Sequence, residues 1–474
     1  MPETEQGVFK HLPTDFRGEL LRPRDPGYTA ARAIYNMRDS EATPALIARA
    51  ADEQDVLAVA RFATETGTPL AVRAGGHGID GTAMPDGALV VDLTALKAID
   101  IDRATGVVRL GAGVLLGEMD SALEPYELAV PAGTVSTTGV AGLTLGGGVG
   151  YNMRRYGATV DSLLACDVVT LDGRRVRASE TENPDLFWAL RGGGGNFGVV
   201  TGLEFQARPM PRQVAAGFIP FPLAHAPEVL AALREHMPTA PRELAVIAAL
   251  TECPPLPPLP VEHHGADALM LIVVYTGPAD RAESVTDALA ALGPAIAKLI
   301  APVPWSAANS MLDVIAPLGR RVYTKGAYLS GLGDDVIDIM VRHAGDHLPQ
   351  SSPPLPSTVQ NVWAMGGAIS EDFAEDSTAF SREGTLWFWE TATQWDRPED
   401  DKAFHDWADA VHAELKPHAL DSCYVNLSTD MGPEWRRGVW GGPEKYARLV
   451  RAKTDWDPQN LLRFNKNIEP LGSS

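Results

Sequence analysis

The sequence predicts an α+β protein built in two parts, the second an antiparallel sheet backed by helices. Three observations carry that expectation. The chain has 474 residues, beyond the roughly 250–300 at which a single core usually divides. Its first half alternates short apolar strands with helices and is punctuated by glycine loops. From the proline-rich stretch Arg208 to Arg212 onward, long strands alternate with amphipathic helices, a spacing that suits a sheet with helices on one face.

Ala45 to Ala50 reads as a strand. Asp52 can cap the helix after it, which carries Val56, Leu57, Val59, Ala60 and Phe62 toward a core and stops at Gly67. Pro69 to Arg73 returns as a second strand, completing a βαβ unit. Further strands are expected at Leu89 to Asp92, Gly106 to Leu110 and Asp167 to Leu171. In the second part the strand candidates are Leu269 to Thr276, Thr358 to Met365 and Leu386 to Trp395. The helix candidates are Pro227 to His236, Arg281 to Leu292, Val336 to His343 and Asp400 to Leu415. Pro254 to Pro260 is a proline-dense loop. From Cys423 the chain turns glycine- and asparagine-rich again, which suggests a return to the first part. The expected divisions are therefore 1–212, 213–418 and 419–474.

Composition excludes several classes of function. Hydrophobic residues make up 45% and charged residues 21%, ordinary for a globular protein. A net charge of −21 opposes binding to nucleic acid or to an anionic membrane. Three scattered cysteines, Cys166, Cys253 and Cys423, provide neither a disulfide framework nor a zinc site, and no metal is expected. Met1 to Arg24 lacks the apolar run of a secretory signal, and no uncharged apolar stretch reaches the roughly 18 residues that span a bilayer. A cytoplasmic protein, monomeric or homodimeric, is the expectation.

Three glycine-bearing segments work as a set. The first is Arg73-Ala74-Gly75-Gly76-His77-Gly78, just after a strand, where successive N–H groups can point at a diphosphate. Taken alone it reads as a plain turn before it reads as a phosphate loop. The second runs from Gly142 through Gly146, Gly147 and Gly148 to Gly150; it lacks the strand, helix and acidic residue of a Rossmann fingerprint. The third, Arg191 to Val200, holds four consecutive glycines, so something must approach its backbone closely.

These segments, with Asn183-Pro184-Asp185-Leu186-Phe187-Trp188 before the third, resemble the FAD-linked oxidases of the berberine-bridge-enzyme-like group. That group lies within the vanillyl-alcohol-oxidase superfamily with its PCMH-type FAD-binding fold. Tyr424-Val425-Asn426 and Asp457 to Ile468 extend the resemblance over nearly the whole chain. The resemblance implies a two-part FAD-binding domain enclosing a substrate domain, and FAD bonded covalently to His77. It also implies flavin contacts from Arg73, Ala74, Gly75, Gly76, Gly78, Gly133, Thr134, Thr138, Gly139 and Gly142. Further contacts are implied for Gly146, Gly147, Gly148, Gly198, Val200, Tyr424, Asn426 and Asn465. Many relatives hold a second covalent link through a cysteine in G-x-C-x-x-x-G, but here Gly133-Thr134-Val135-Ser136-Thr137-Thr138-Gly139 places Val135 there. A single histidyl link is expected. Thr138 matches the position that gates dioxygen.

The family moves a proton from a substrate hydroxyl, amine or phenol while hydride passes to the flavin. Tyr424 matches the tyrosine of the family's Y-x-N motif, as base or as orienting group. Glu390 sits in the aromatic stretch Leu386 to Trp395, where a carboxylate is costly without a purpose or a partner. It falls where the berberine bridge enzyme carries its catalytic glutamate; a structural ion pair is the alternative. Asn361, Tyr323, Lys325 and Tyr328 are candidates to line the substrate pocket. The expected activity is oxidation of a small organic or natural-product substrate, with dioxygen reduced to hydrogen peroxide. The alternatives are a flavin-dependent oxygenase, a flavin-binding protein without turnover, and a nicotinamide dehydrogenase.

Overall fold

The computed structural model describes residues 16–255, 259–349, 356 and 358–472. The readings made for residues 1–15 and 256–258 lie outside them. The first part opens with β1 (Glu19–Leu21), β2 (Leu46–Arg49), α1 (Glu53–Thr66), β3 (Leu70–Arg73) and β4 (Leu89–Asp92). Helix α1 starts where the Asp52 side chain accepts from the N–H groups of Gln54 and Asp55, and it ends at Gly67 in the left-handed region. It buries Val56, Leu57, Val59, Ala60 and Phe62.

The strand order β1-β2-β4-β3 modifies the expected βαβ pair: β2 and β3 both run parallel to β4, which lies between them. Every residue of Leu89–Asp92 is buried, and a strand with no exposed face belongs at the centre of a sheet.

A second, antiparallel sheet has the order β5-β6-β9-β7-β8. Its strands are β5 (Ile99–Asp102), β6 (Val107–Gly111), β7 (Leu163–Val169), β8 (Arg175–Ser179) and β9 (Val199–Gln206). Between β6 and β7 come α2 (Leu116–Leu123) and α3 (Val140–Leu145). Strand β7 begins at Leu163, ahead of the expected Asp167, because it pairs with β8 on one side and β9 on the other.

The second part is organised on a seven-stranded antiparallel sheet of order β13-β10-β12-β11-β16-β17-β15. These are β10 (Gln213–Pro222), β11 (Leu244–Glu252), β12 (Asp267–Tyr275), β13 (Leu299–Pro304), β15 (Gly326–Leu329), β16 (Gln360–Ala364) and β17 (Trp387–Thr391). A separate pair joins β14 (Arg321–Tyr323) to β18 (Thr393–Trp395). Strands β10, β11 and β13 were not expected from sequence. In β11 the run Leu244–Leu250 is buried throughout, so it shows no alternation to separate it from a buried helix.

The single strand expected over Leu386 to Trp395 instead breaks at Ala392, whose N–H donates to the Val359 carbonyl. Phe388 and Glu390 therefore share a face of the large sheet, while Gln394 belongs to another sheet. Helices α4 (Ala226–His236), α5 (Ala279–Ala290), α6 (Asp334–Ala344) and α7 (Asp401–Leu415) cover one face of the large sheet. Val246, Ala248, Leu271, Val273, Trp387 and Trp389 pack against them. The opposite face, with Ile247, Ile272, Trp363 and Phe388, joins the core of the first part. Candidate chemistry on that face thus meets the glycine loops.

The last helix, α8 (Pro443–Trp456), brings Lys453 to the Asn196 carbonyl at 3.0 Å, returning the chain end to the third glycine segment. Among the described residues no helix is long and apolar enough to cross a membrane, and no cluster of His, Cys, Asp or Glu suits a metal ion.

Candidate active site

Two loops of the first part lie in direct contact. A Cβ placed on Gly75 would sit 2.2 Å from the Gly139 nitrogen, and one on Gly139 would sit 2.5 Å from the Gly75 nitrogen. Only glycine at both positions lets the backbones approach so closely. The contact brings His77 to the loop of residues 133–139, where Thr137 Oγ1 lies 2.8 Å from His77 Nε2. Tyr35 stacks on the imidazole with ring centroids 4.9 Å apart and planes 12° from parallel.

Burial holds the His77 imidazole down at about 4, against a smaller opposing pull from the Asp313 carboxylate. At neutral pH the ring is therefore uncharged. Asp313 itself accepts from the Ser136 N–H at 2.7 Å and the Ser136 hydroxyl at 2.5 Å, tying the second part to this loop. Among the described residues, the N–H groups of Gly75, Gly76, His77 and Gly78 donate to no protein acceptor. The same holds for Ala141 and Gly142 in the first turn of α3. Adjoining unpaired donors of this kind form a nest for an anion.

The aromatic strand β17 lies in the large sheet, and its Phe388 joins the core of the first part. Glu390 pairs in register with Asn361 on β16 and with Gly326 on β15. Its Oε1 accepts from Asn361 Nδ2 at 3.2 Å and from Trp363 Nε1 at 3.1 Å. The residue is buried, and burial pushes its carboxyl up to about 7, against the two hydrogen bonds, which favour the ionised form. No ion pair to Glu390 exists among the described residues, so the structural alternative raised by the sequence does not account for it.

Tyr424 stands beside this group, its ring edge-on to Phe380 and Phe388 with centroids 6.0 and 5.8 Å away. Its hydroxyl oxygen accepts from the Val149 N–H at 3.3 Å and from Asn426 Nδ2 at 3.0 Å. Burial nevertheless pushes the phenol up to about 12, and the Glu390 charge adds to that rise. Asn426 reaches this position because Gly146 has no side chain: a Cβ there would lie 2.1 Å from Asn426 Oδ1.

The remaining glycines divide by what approaches them. At Gly147, Gly148 and Gly192 the neighbours are Phe380, Thr159 and the Phe380 backbone. The close approach expected of the third segment is therefore made at Gly192 by the chain itself. Gly198 packs on Val168, and Val200 is buried in β9 opposite the same residue. Gly133 sits against Leu143, and Thr134 is buried beside it. Arg73 pairs with the buried Asp92 at 3.3 Å and donates to the Ala31 and Ala33 carbonyls. Ala74 is half-buried against the core. Gly78 and Gly142 open on free space.

Sequence similarity supports the same reading. A family model described as FAD binding domain matches residues 44–179, and one described as berberine and berberine-like matches residues 423–469. (R)-6-hydroxynicotine oxidase of Paenarthrobacter nicotinovorans is 30% identical over 473 residues, covering 97% of this chain and 98% of the relative. The chain belongs to the berberine-bridge-enzyme-like FAD-linked oxidases. As a member it is an FAD-dependent oxidoreductase.

The crystal structure of 6-hydroxy-D-nicotine oxidase from Arthrobacter nicotinovorans superposes with a TM-score of 0.84 at 26% identity, covering 97% of this chain and 99% of that one. Xylooligosaccharide oxidase from Myceliophthora thermophila shares the fold, with a TM-score of 0.84 at 23% identity over 98% of this chain and 99% of that one.

A berberine-bridge-like enzyme needs a berth for FAD, and the residues present fit one. The nest of donors suits a diphosphate. Asn465 Oδ1 and Tyr151 Oη are buried polar atoms without a protein partner, the kind of vacancy a polar ligand fills.

The structure brings Glu390 together with Asn361 and sets Tyr424 beside Asn426, and the Glu390 charge acts on both Tyr424 and the Tyr35 ring that stacks on His77. It does not bring Tyr323 to them: that hydroxyl donates to Asp409 on α7 at 3.0 Å, and Lys325 pairs with the same carboxylate at 2.9 Å. Tyr328 is fully buried behind Phe388, edge-on at 5.7 Å. Sequence reasoning missed Tyr35, Thr137 and Trp363. Trp363 was within reach, since period two from Asn361 places it on the Glu390 face. Tyr35 carried no local signal.

Proposed function

We propose that this enzyme is an oxidase of a small organic molecule bearing an alcohol, amine or phenol, with FAD held by one covalent bond at His77. Bound FAD supplies the hydride acceptor, and dioxygen restores it with release of hydrogen peroxide. In this reading residues up to 212, with the return at 419–472, bind the flavin, and 213–418 cover its reactive face. The N–H groups of Gly75 to Gly78, Ala141 and Gly142 take the diphosphate. Asn465 takes a polar edge of the ring system through its unpaired Oδ1.

The neutral His77 ring has Nε2 committed to Thr137, leaving Nδ1 to carry the bond. A single bond is supported by Val135 at the position where many relatives have cysteine. All three cysteines are buried, and burial pushes Cys166 and Cys423 up to about 12, leaving them as unreactive thiols.

The observation that carries the reading is the Glu390 carboxyl, poised at about 7 on the sheet face that meets the glycine loops. A base is most effective when its pKa lies near the working pH. Glu390 therefore takes the substrate's proton. Tyr424, at about 12, stays protonated; with its oxygen already accepting two hydrogen bonds, it acts as a donor that orients the substrate.

The test is a screen of alcohols, amines and phenols for anaerobic bleaching of the flavin, followed by measurement of peroxide on admitting oxygen. One peroxide per turnover is expected. Oxygen incorporated into product, or no bleaching by any compound in these classes, would overturn the assignment. Acid denaturation followed by electrophoresis tests the tether, which is expected to persist in the wild type and vanish in His77→Ala.

A further inference from the structure

The segment Ile34–Met37 bridges the two parts of the molecule. On one side the Tyr35 N–H donates to the Gly76 carbonyl at 2.9 Å, and Asn36 Nδ2 donates to the Ile79 carbonyl at 2.5 Å. On the other, the Ile34 carbonyl accepts from the Gly319 N–H at 2.9 Å and the Met37 N–H donates to the Arg320 carbonyl at 2.7 Å. Asn36, itself buried, also donates to the Val322 carbonyl at 3.0 Å and accepts from the Val322 N–H at 3.1 Å. These bonds hold the backbone at Tyr35 on both flanks, so the ring stacked on His77 is fixed from a rigid base.

We propose that Tyr35 is the positioning residue for covalent attachment of the flavin: its ring, stacked on the imidazole, holds His77 in the orientation in which the bond forms. Thr137 fixes the edge of the same imidazole and Tyr35 fixes its face. Between them they restrict rotation about both side-chain torsions, and a reacting group pre-oriented in this way is spared most of the entropy loss of the step. The inference rests on the His77 tether. The step joins the free imidazole nitrogen to the flavin's 8α carbon, with loss of one hydrogen from that carbon and the N–H proton. The two electrons released pass to dioxygen, which with two protons gives hydrogen peroxide.

The experiment compares wild type, Tyr35→Phe, Tyr35→Ala and His77→Ala for covalent flavin. The readouts are the flavin retained after acid precipitation and the rate at which retention rises when FAD is added to flavin-depleted protein. Non-covalent FAD affinity, measured at the start of each time course, normalises for binding. Tyr35→Phe keeps the stack and is expected to attach flavin at the wild-type rate. Tyr35→Ala is expected to attach it about tenfold or more slowly, the scale of loss that misplacing a reacting group carries. Wild-type attachment rates in Tyr35→Ala would overturn the inference while leaving the tether intact. Equal slowing in Tyr35→Phe would overturn it too, since the hydroxyl would then be acting. Complete release of flavin from the wild type would overturn the tether and this inference with it.

Discussion

Glu390 and Tyr424 are both pushed upward by burial, with opposite consequences for their roles. The carboxyl arrives near neutrality, where half of it is ionised and it can take a proton; the phenol moves further from neutrality and keeps its own. For Glu390 the folded-state value of about 7 lies above the ordinary 4.5, so the fold favours the protonated form. That preference is fully present below 4.5 and is lost as pH rises through 7. Glu390→Gln keeps an acceptor for Asn361 and Trp363 but never ionises. It is expected to stabilise the protein at pH 8 by up to about 3 kcal/mol, read by chemical denaturation at pH 5 and pH 8. The same variant is expected to lower kcat by about 10²–10⁴-fold. It should also abolish the limb of activity that rises through about pH 7 in the wild type. Tyr424→Phe strands the Val149 N–H, at a cost of about 1–3 kcal/mol, while Asn426 Nδ2 keeps the Leu143 carbonyl; the pH limb should stay in place, because Glu390 is untouched.

At the scale of elements, the site depends on two loops whose backbones touch. Gly139→Ala inserts a methyl group 2.5 Å from the Gly75 nitrogen, an overpacking expected to cost about 1–3 kcal/mol. Because the loops it separates carry His77 and the donor nest, the flavin content of the purified protein should fall with it, which absorbance measures directly. The C-terminal helix makes a comparable commitment. Lys453 is fully buried and donates to Asp457, the Asn196 carbonyl and the Leu462 carbonyl. Lys453→Ala leaves the Asp457 charge buried without its partner, a loss of about 3–5 kcal/mol by denaturant titration. Helix α1 and strand β4 were readable in advance because a cap, a stop and an apolar run are local signals. Strand β11 was not, because burial on both faces erases the period, and the break at Ala392 is set by a bond to Val359 far along the chain.

At the scale of the whole molecule, a few polar contacts join the two parts over the site. The helix Trp305–Asn309 docks on α2 through Asp120, which accepts from Trp305 Nε1 at 3.0 Å and from Asn309 Nδ2 at 2.7 Å. Asp313, a few residues further on, anchors the loop beside His77. Asp120→Ala strands two buried donors and is expected to cost about 2–6 kcal/mol, at 1–3 for each, and to lower the thermal midpoint accordingly.

By itself the sequence determined the α+β class, the flavin cofactor and the family, together with His77, Glu390 and Tyr424 as residues to watch. Each of these rests on a local pattern: a period, a cap, or a motif of adjacent residues. Only the tertiary structure decided that Tyr35, far from any motif, stacks on His77, and that Tyr323 turns away toward Asp409. Only it shows that burial carries Glu390 to about 7 and Tyr424 to about 12. A side chain's proton affinity depends on the water it loses and on the partners that the fold brings from distant parts of the chain, and neither is written in its neighbours along the sequence.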